Sequence, residues 1–299
     1  MSWIFFALLA PAVYTVVNFI DKHVVSNEVK DYKGMVIYGT IMGLVVGTFF
    51  WIVTGFPTLP LQDTLIILSA GALTIWASAL YFKAVSMEDA SKIIILFQTM
   101  PIFVLILSIF LLKETVSALQ IFGFFLILGS AIGISIEKGQ EKFKLSKTFW
   151  LVMAVNLLWA LSAVMAKFAI QATSFSSILA YESWGLGIGG TLLFIFFPQI
   201  RNSFLESVRT VPKRALFLMF TNEGVFVLAK SITFYAYSIG PASLVSVLGS
   251  TQVLFGVLYG YILTTLLPKY FKEDVKKETI VQKLLWGVLI LVGIFFVGK

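Results

Sequence analysis

The chain has 299 residues, 59% of them hydrophobic and 12% charged, with a mean hydropathy of +0.96 and a net charge of +7. Soluble domains carry about 25% charged residues and disordered chains are poor in apolar ones, so both classes, and a soluble enzyme with them, are excluded. With no cysteine and His23 as the single histidine, the chain lacks the parts for disulfides, thiolate chemistry or a His/Cys metal centre, and no cofactor is expected.

A membrane-spanning helix needs about 20 mostly apolar residues. Ten segments meet this in chain order: about 2–21, 34–55, 64–86, 92–112, 116–136, 148–169, 177–198, 214–238, 243–265 and 282–298. The first lacks the charged start of a cleavable signal and is too long for one, so it is read as a span. The runs are continuous and about twice the length of a barrel strand. The longest connections, 137–147, 199–213 and 266–281, are charged and leave no room for a soluble domain. Eighteen of the 22 basic residues fall in or beside the connections after spans 1, 3, 5, 7 and 9. That asymmetry predicts cytoplasmic placement of those connections, with both termini outside. It also accounts for the positive charge as membrane-edge lysines, so no nucleic-acid partner is expected.

The sequence repeats. Gly39 and Gly43 recur as Gly185 and Gly189, 146 residues on, and Lys22 as Lys167 at 145. Ala84-Val85-Ser86 with Ala90-Ser91 recurs as Ala236-Tyr237-Ser238 with Ala242-Ser243 at 152, and Gly123 and Gly129 as Gly287 and Gly293 at 164. The order is kept throughout. This predicts a first five-helix unit over 1–136, a charged linker over 137–147 and a second unit over 148–299. Five spans per unit is odd, so the second must be inverted. The expected fold is an all-α membrane protein of ten helices in an inverted 5+5 repeat around a central cavity, with substrate near the midplane.

The chain also resembles the EamA-type members of the drug/metabolite transporter superfamily. The resemblance rests on Tyr81-Phe82-Lys83-Ala84, Ala90-Ser91, Pro101, Leu112-Lys113-Glu114, Gln120, Gly123 and Gly129, and on Leu158-Trp159-Ala160 in the second half. It implies ten helices in an inverted repeat and the movement of small metabolites. The chain departs from the pattern after span 9, where Pro268–Val281 adds a charged insertion in place of a Leu-x-Glu run.

Ionisable groups inside spans are costly and point to function by default. Glu223 and Lys230 bracket the middle of span 8, seven residues and nearly two turns apart, so they share a face about 10.5 Å apart. That is too long for a direct pair, so each should meet a partner on another helix, water or substrate. Lys230 is the candidate for an anionic group, and Glu223 for a cation or a proton. Glu182, near the start of span 7 beside Tyr181 and Trp184, is a second proton-coupling candidate or an interfacial residue. Lys83 and Lys167 lie near span ends and can snorkel; Asp21 and Lys22 read as edge residues. Polar side chains at helical spacing extend the candidate substrate site: Tyr14 and Asn18, Asn156 and Trp159, Gln98 before Pro101, and Ser243, Ser246 and Ser250 with Thr251 and Gln252. Of these Tyr14, Asn18, Gln98, Trp159, Ser246, Ser250 and Gln252 are expected to line the cavity. Gly39, Gly43 and Gly47, and Gly185, Gly189 and Gly190, form smooth faces for close helix packing. Spans 5 and 10 read as peripheral, with Gly129 and Gly133 able to seat a neighbour.

No P-loop, G-x-S-x-G or H-E-x-x-H motif occurs, so the catalytic parts these motifs supply are missing. The expected function is secondary or facilitative transport of a small molecule, amino-acid-like or drug-like, by alternating access with proton coupling. The alternative is a lipid or lipid-linked flippase of the same fold. A membrane enzyme using Asp21, His23 and Glu28 on a lipid headgroup is the third reading. The expected location is a bacterial or archaeal cell membrane; the partners are the substrate and the bilayer, and the sequence sets no oligomeric state.

Overall fold

A computed structural model describes residues 2–29, 31–87, 96–135, 147–170, 174–266 and 277–299. The described elements are all helical. An apolar chain without water to solvate its backbone must satisfy every N–H and C=O internally, and helices do so within one segment. The helices are α1 (Ser2–Asn27), α2 (Met35–Val53), α3 (Leu61–Val85), α4 (Met100–Leu107), α5 (Ala118–Ser135), α6 (Lys147–Ile170), α7 (Phe175–Phe196), α8 (Pro198–Thr210), α9 (Lys213–Ile239), α10 (Ala242–Gly249), α11 (Gln252–Leu266) and α12 (Lys277–Val297). A 3-10 turn, Tyr32–Gly34, precedes α2, and a π turn, Ser108–Leu112, continues α4. Among the described residues, seven stretches are long and apolar enough to cross a bilayer, and Met100–Leu112, Ala118–Gly133 and Leu285–Val297 are shorter apolar helices. The linker 137–147, apart from Lys147, lies outside the described residues, as do Ala90-Ser91, the start of span 4 and most of the 266–281 insertion.

Two expected spans are not continuous. Span 4 breaks at Gln98-Thr99, and span 9 at Ser250-Thr251. The breaks are 152 residues apart and built alike. Thr99 donates through its N–H (3.1 Å) and its hydroxyl (2.8 Å) to the Leu96 carbonyl. Thr251 does the same to Leu248, at 3.0 and 2.7 Å. A hydroxyl three residues on competes for the carbonyl that the next turn would use. The shared Leu-x-x-Thr was the sequence signal, and the continuous apolar runs hid it.

The 199–213 connection, expected as a charged loop, holds the helix α8. Pro198 starts it, where a missing N–H costs nothing. Its inner face carries Ile200, Ser203, Phe204 and Ser207 at helical spacing, and Gln199, Arg201, Asn202, Glu206 and Arg209 keep its mean hydropathy low, so a hydropathy search passes over it. Ser203 Oγ accepts from the Gly34 N–H at 2.9 Å and donates to the Asp31 carbonyl at 3.2 Å, while Ser207 bonds the Tyr38 hydroxyl at 2.9 Å. Gly34 is needed there: a Cβ would stand 2.7 Å from Phe204 Cα.

The glycine faces pack as expected. A Cβ on Gly43 would lie 2.8 Å from the Ser183 carbonyl of α7, one on Gly189 would lie 2.7 Å from Ala72 Cα of α3, and one on Gly185 would overlap the Leu68 carbonyl. Thus α7 is clasped between α2 and α3. The helices α5 and α12 meet through Gly123, whose Cβ would lie 2.7 Å from the Gly293 carbonyl, and through Gly133 against Trp286. Gly129 seats nothing, with open space where a Cβ would go. Gly129→Ala should therefore be neutral or stabilising by up to about 1 kcal/mol, the helix-propensity gain, whereas Gly133→Ala should destabilise. Thermal unfolding of both in detergent checks the contrast; equal effects would contradict this packing.

Candidate functional site

Helices α1 and α9 run antiparallel in contact. Along them Trp3 meets Gly240, Phe6 meets Tyr235 (ring centroids 4.6 Å apart), Tyr14 meets Phe226 (5.7 Å) and Asp21 accepts from Asn222 (2.7 Å). Gly298 lies beside Ile4, so both chain ends occupy one end of the bundle, the terminus end. The opposite end carries the 3-10 turn and α8, with Lys33, Arg201 and Arg209, and is called the charged end.

Exposure along these helices locates a cavity. On α1, Leu9 and Val16 are exposed and share a line. Asn18 is also exposed, yet it lies nine residues from Leu9, half a turn round from that outer line. It stands amid the buried face of Ala7, Pro11 and Thr15, so it faces internal space. On α9, Phe226 lies half a turn from exposed Phe217 and Tyr235 but stays partly accessible. The same holds on α6 for Trp159, half a turn from exposed Trp150 and Phe168. Accessibility fades toward the terminus end on both antiparallel helices. Asn18 is exposed, Tyr14 is half-buried and Pro11 is buried; Glu223 and Phe226 are half-buried, and Lys230 and Tyr237 are buried. The cavity therefore opens at the charged end and is blind at the other.

At its blind end Lys230 donates to Glu182 of α7 in an ion pair, with side-chain exposures of 6% and 1%. The expectation that Lys230 meets a partner on another helix holds, and that partner is Glu182. An interfacial place for Glu182 does not: it is fully enclosed. Its second oxygen, Oε1, has no hydrogen-bond partner among the described residues. Glu223, on the same face of α9 as Lys230, lies over Gly39 of α2 and interacts electrostatically with Asp21 and Lys230. One wall is aromatic: Tyr81, Phe97 and Trp159 touch one another at centroid distances of 5.5–5.7 Å. Trp159 also donates to the Thr74 carbonyl at 3.3 Å, which fixes its ring. Tyr14 hydrogen-bonds Thr233.

The remaining candidates divide. Gln98 and Ser250 are buried at the two helix breaks. Ser246 and Gln252 are half-buried, and the Gln252 carbonyl accepts from Thr15 at 3.4 Å. Asn156 is fully buried and donates to the Leu96 carbonyl and to Thr99 Oγ1, both at 2.8 Å. It holds the span 4 break together rather than facing the cavity.

The terminus end is locked by residues given other roles in the sequence. Lys167 does not snorkel: it is buried and donates to the carbonyls of Tyr237 and Gly240 (2.9 Å to the latter). It thereby satisfies the end of α9, where a cation suits the helix dipole. Glu114 accepts from the N–H groups of Ala242 and Ser243 (2.6 and 3.2 Å) and from the Ser243 hydroxyl (2.7 Å), capping α10. The Gly240-Pro241 turn is thus held from both sides. Lys83 is an exposed end residue, as expected. Asp21 is not a simple edge residue, since Asn222 holds it. His23 and Glu28 lie 3.7 Å apart, while Asp21 is committed to α9, so the trio proposed for headgroup chemistry is divided.

The comparisons agree with this architecture. The model of the EamA-like transporter family matches residues 1–136. No curated protein matches the chain. Among solved structures 29 chains match. One, described only as "Crystal structure of protein", superposes with a TM-score of 0.73 at 12% identity, covering 100% of this chain and 98% of that one. At that identity the likeness shows the fold alone.

Proposed function

With residues 1–136 an EamA-like transporter unit in a multi-pass membrane protein, we propose that the chain is a secondary transporter that moves a small amine-bearing molecule, amino-acid-like or drug-like, by alternating access. Ten spans in two inverted five-helix units are the framework, with both termini outside. The paired Leu-x-x-Thr breaks at Thr99 and Thr251 support the repeat, since discontinuous helices in corresponding places mark transporter binding sites. The three shorter apolar helices bring the seven long stretches to ten.

One observation carries the substrate class: Lys230, the lysine on the cavity face of α9, is already neutralised by Glu182. A carboxylate substrate would have to displace Glu182 to reach it. A donor group is better served, because Glu182 Oε1 is an acceptor without a partner among the described residues and Glu223 and Asp21 add negative charge nearer the mouth. The Tyr81–Phe97–Trp159 wall suits a cation or an apolar body.

The test is thermal stabilisation of the purified protein by amino acids, organic amines, sugar phosphates and nucleotides. A ligand at about 100 times its dissociation constant adds about 2.7 kcal/mol. Amines should stabilise, and Trp159→Ala should remove the effect. Stabilisation by phosphates alone would reverse the charge assignment, and a response only to lipids would move the protein to the flippase reading.

A further inference from the structure

The two repeats differ at one helix interface, and the difference falls on Glu223. An offset of 152 carries α3 onto α9, and one of 146 carries α2 onto α7. The interface of α3 with α7 therefore has a counterpart between α9 and α2. In the first, backbones touch. A Cβ on Gly71 would lie 2.5 Å from the Leu186 nitrogen, and one on Gly189 would lie 2.7 Å from Ala72 Cα. In the second, residue 71 maps to Glu223 and Gly185 maps to Gly39. The nearest atom to a Cβ on Gly39 is Glu223 Oε2, at 3.3 Å, and the other near ones are Ile75 Cδ1 and Glu223 Cδ. So α9 stands off α2 by the length of a glutamate side chain, at the end where the cavity is open.

We propose that Glu223 is the gate of the charged end: while ionised it holds α9 off α2, and protonation lets α9 close on Gly39 as α3 closes on α7. This rests on the alternating-access reading and adds the group that couples it to pH. A carboxylate enclosed between two apolar helices without a counter-charge is strongly disfavoured, whereas the neutral acid can be enclosed. No such obstacle exists at the other end, where glycine occupies the matching place. The groups that face Glu223 are few. Asp21 comes from α1, Lys230 from its own helix is held by Glu182 of α7, and Tyr81 of α3 lies beside Asp21. On α2, Tyr38 is turned to Ser207 and Gly39 carries no side chain.

The chain has no native cysteine, so a single Asn18→Cys substitution reports whether the cavity is open to a water-soluble maleimide. In liposomes, labelling normalised at each pH to that of the detergent-unfolded protein, which removes the thiol's own titration, should fall about tenfold as pH drops and Glu223 is neutralised, a population shift of about 1.4 kcal/mol. With Glu223→Gln added, labelling should be low at every pH. Glu223→Gly, which reproduces the other repeat, should also be low at every pH. Gel filtration and melting of each variant separate closure from misfolding, since a closed protein stays monodisperse. Labelling that is independent of pH and equal in all backgrounds overturns the proposal. So does a pH response that survives Glu223→Gln but disappears in Asp21→Asn. No substrate is needed, so a failed ligand panel would count against the proposed substrate class while leaving this result intact.

Discussion

Lys230→Met should be among the most destabilising single substitutions in the protein, at about 3–5 kcal/mol, because it leaves Glu182 charged, enclosed and alone. The pair joins α9 to α7 with side-chain exposures of 6% and 1%, so water cannot take the place of the missing partner. Lys230→Met combined with Glu182→Leu should recover most of that loss, since replacing both charges by apolar groups of similar volume is often neutral or stabilising. Thermal unfolding of the two variants in detergent decides it. A single variant as stable as the parent would mean that Glu182 is solvated or already neutral. A double variant no better than the single would mean that the lysine stem, not the charge, is what matters.

Gly185→Val is the second large effect. A Cβ at Gly185 overlaps the Leu68 carbonyl, and a valine adds two methyl groups beyond it. The α3 and α7 backbones must separate, at a cost of at least the 1–3 kcal/mol typical of overpacking. Separation also unseals the terminus end. A cysteine in place of Thr74, on the inner face of α3, should then label from the terminus side where it did not before. Gly185→Ala should have the same direction and a smaller size. Unchanged stability and labelling would show that α3 and α7 are not in backbone contact.

Much of the site was legible because intramembrane charge is rare. Lys230, Glu182 and Glu223 stood out on cost alone, and helical spacing put Lys230 and Glu223 on one face. Which of them pair was not legible. Glu182 and Lys230 are 48 residues apart on different helices, and sequence spacing reports neighbours only within a helix. The same limit explains Lys167. Its position near a span end suggested the interface, but the end of α9 delivers two free carbonyls to it. Asn156 shared a polar stripe with Trp159, and the stripe alone gave it no partner. It is bound to Leu96 and Thr99, because a broken helix exposes an acceptor that a continuous one would not.

The sequence by itself determined the class of the molecule, an all-helical multi-pass membrane protein, and the place of most of its apolar segments. Hydrophobic length and glycine spacing are local properties that a bilayer reads segment by segment. Tertiary structure alone decided which charges are neutralised by partners and which end of the cavity is open. These depend on contacts between segments far apart in the chain. Sequence landmarks pair Gly71 with Glu223, but only packing shows that α3 and α7 touch through their backbones while the Glu223 side chain lies between α9 and Gly39 of α2.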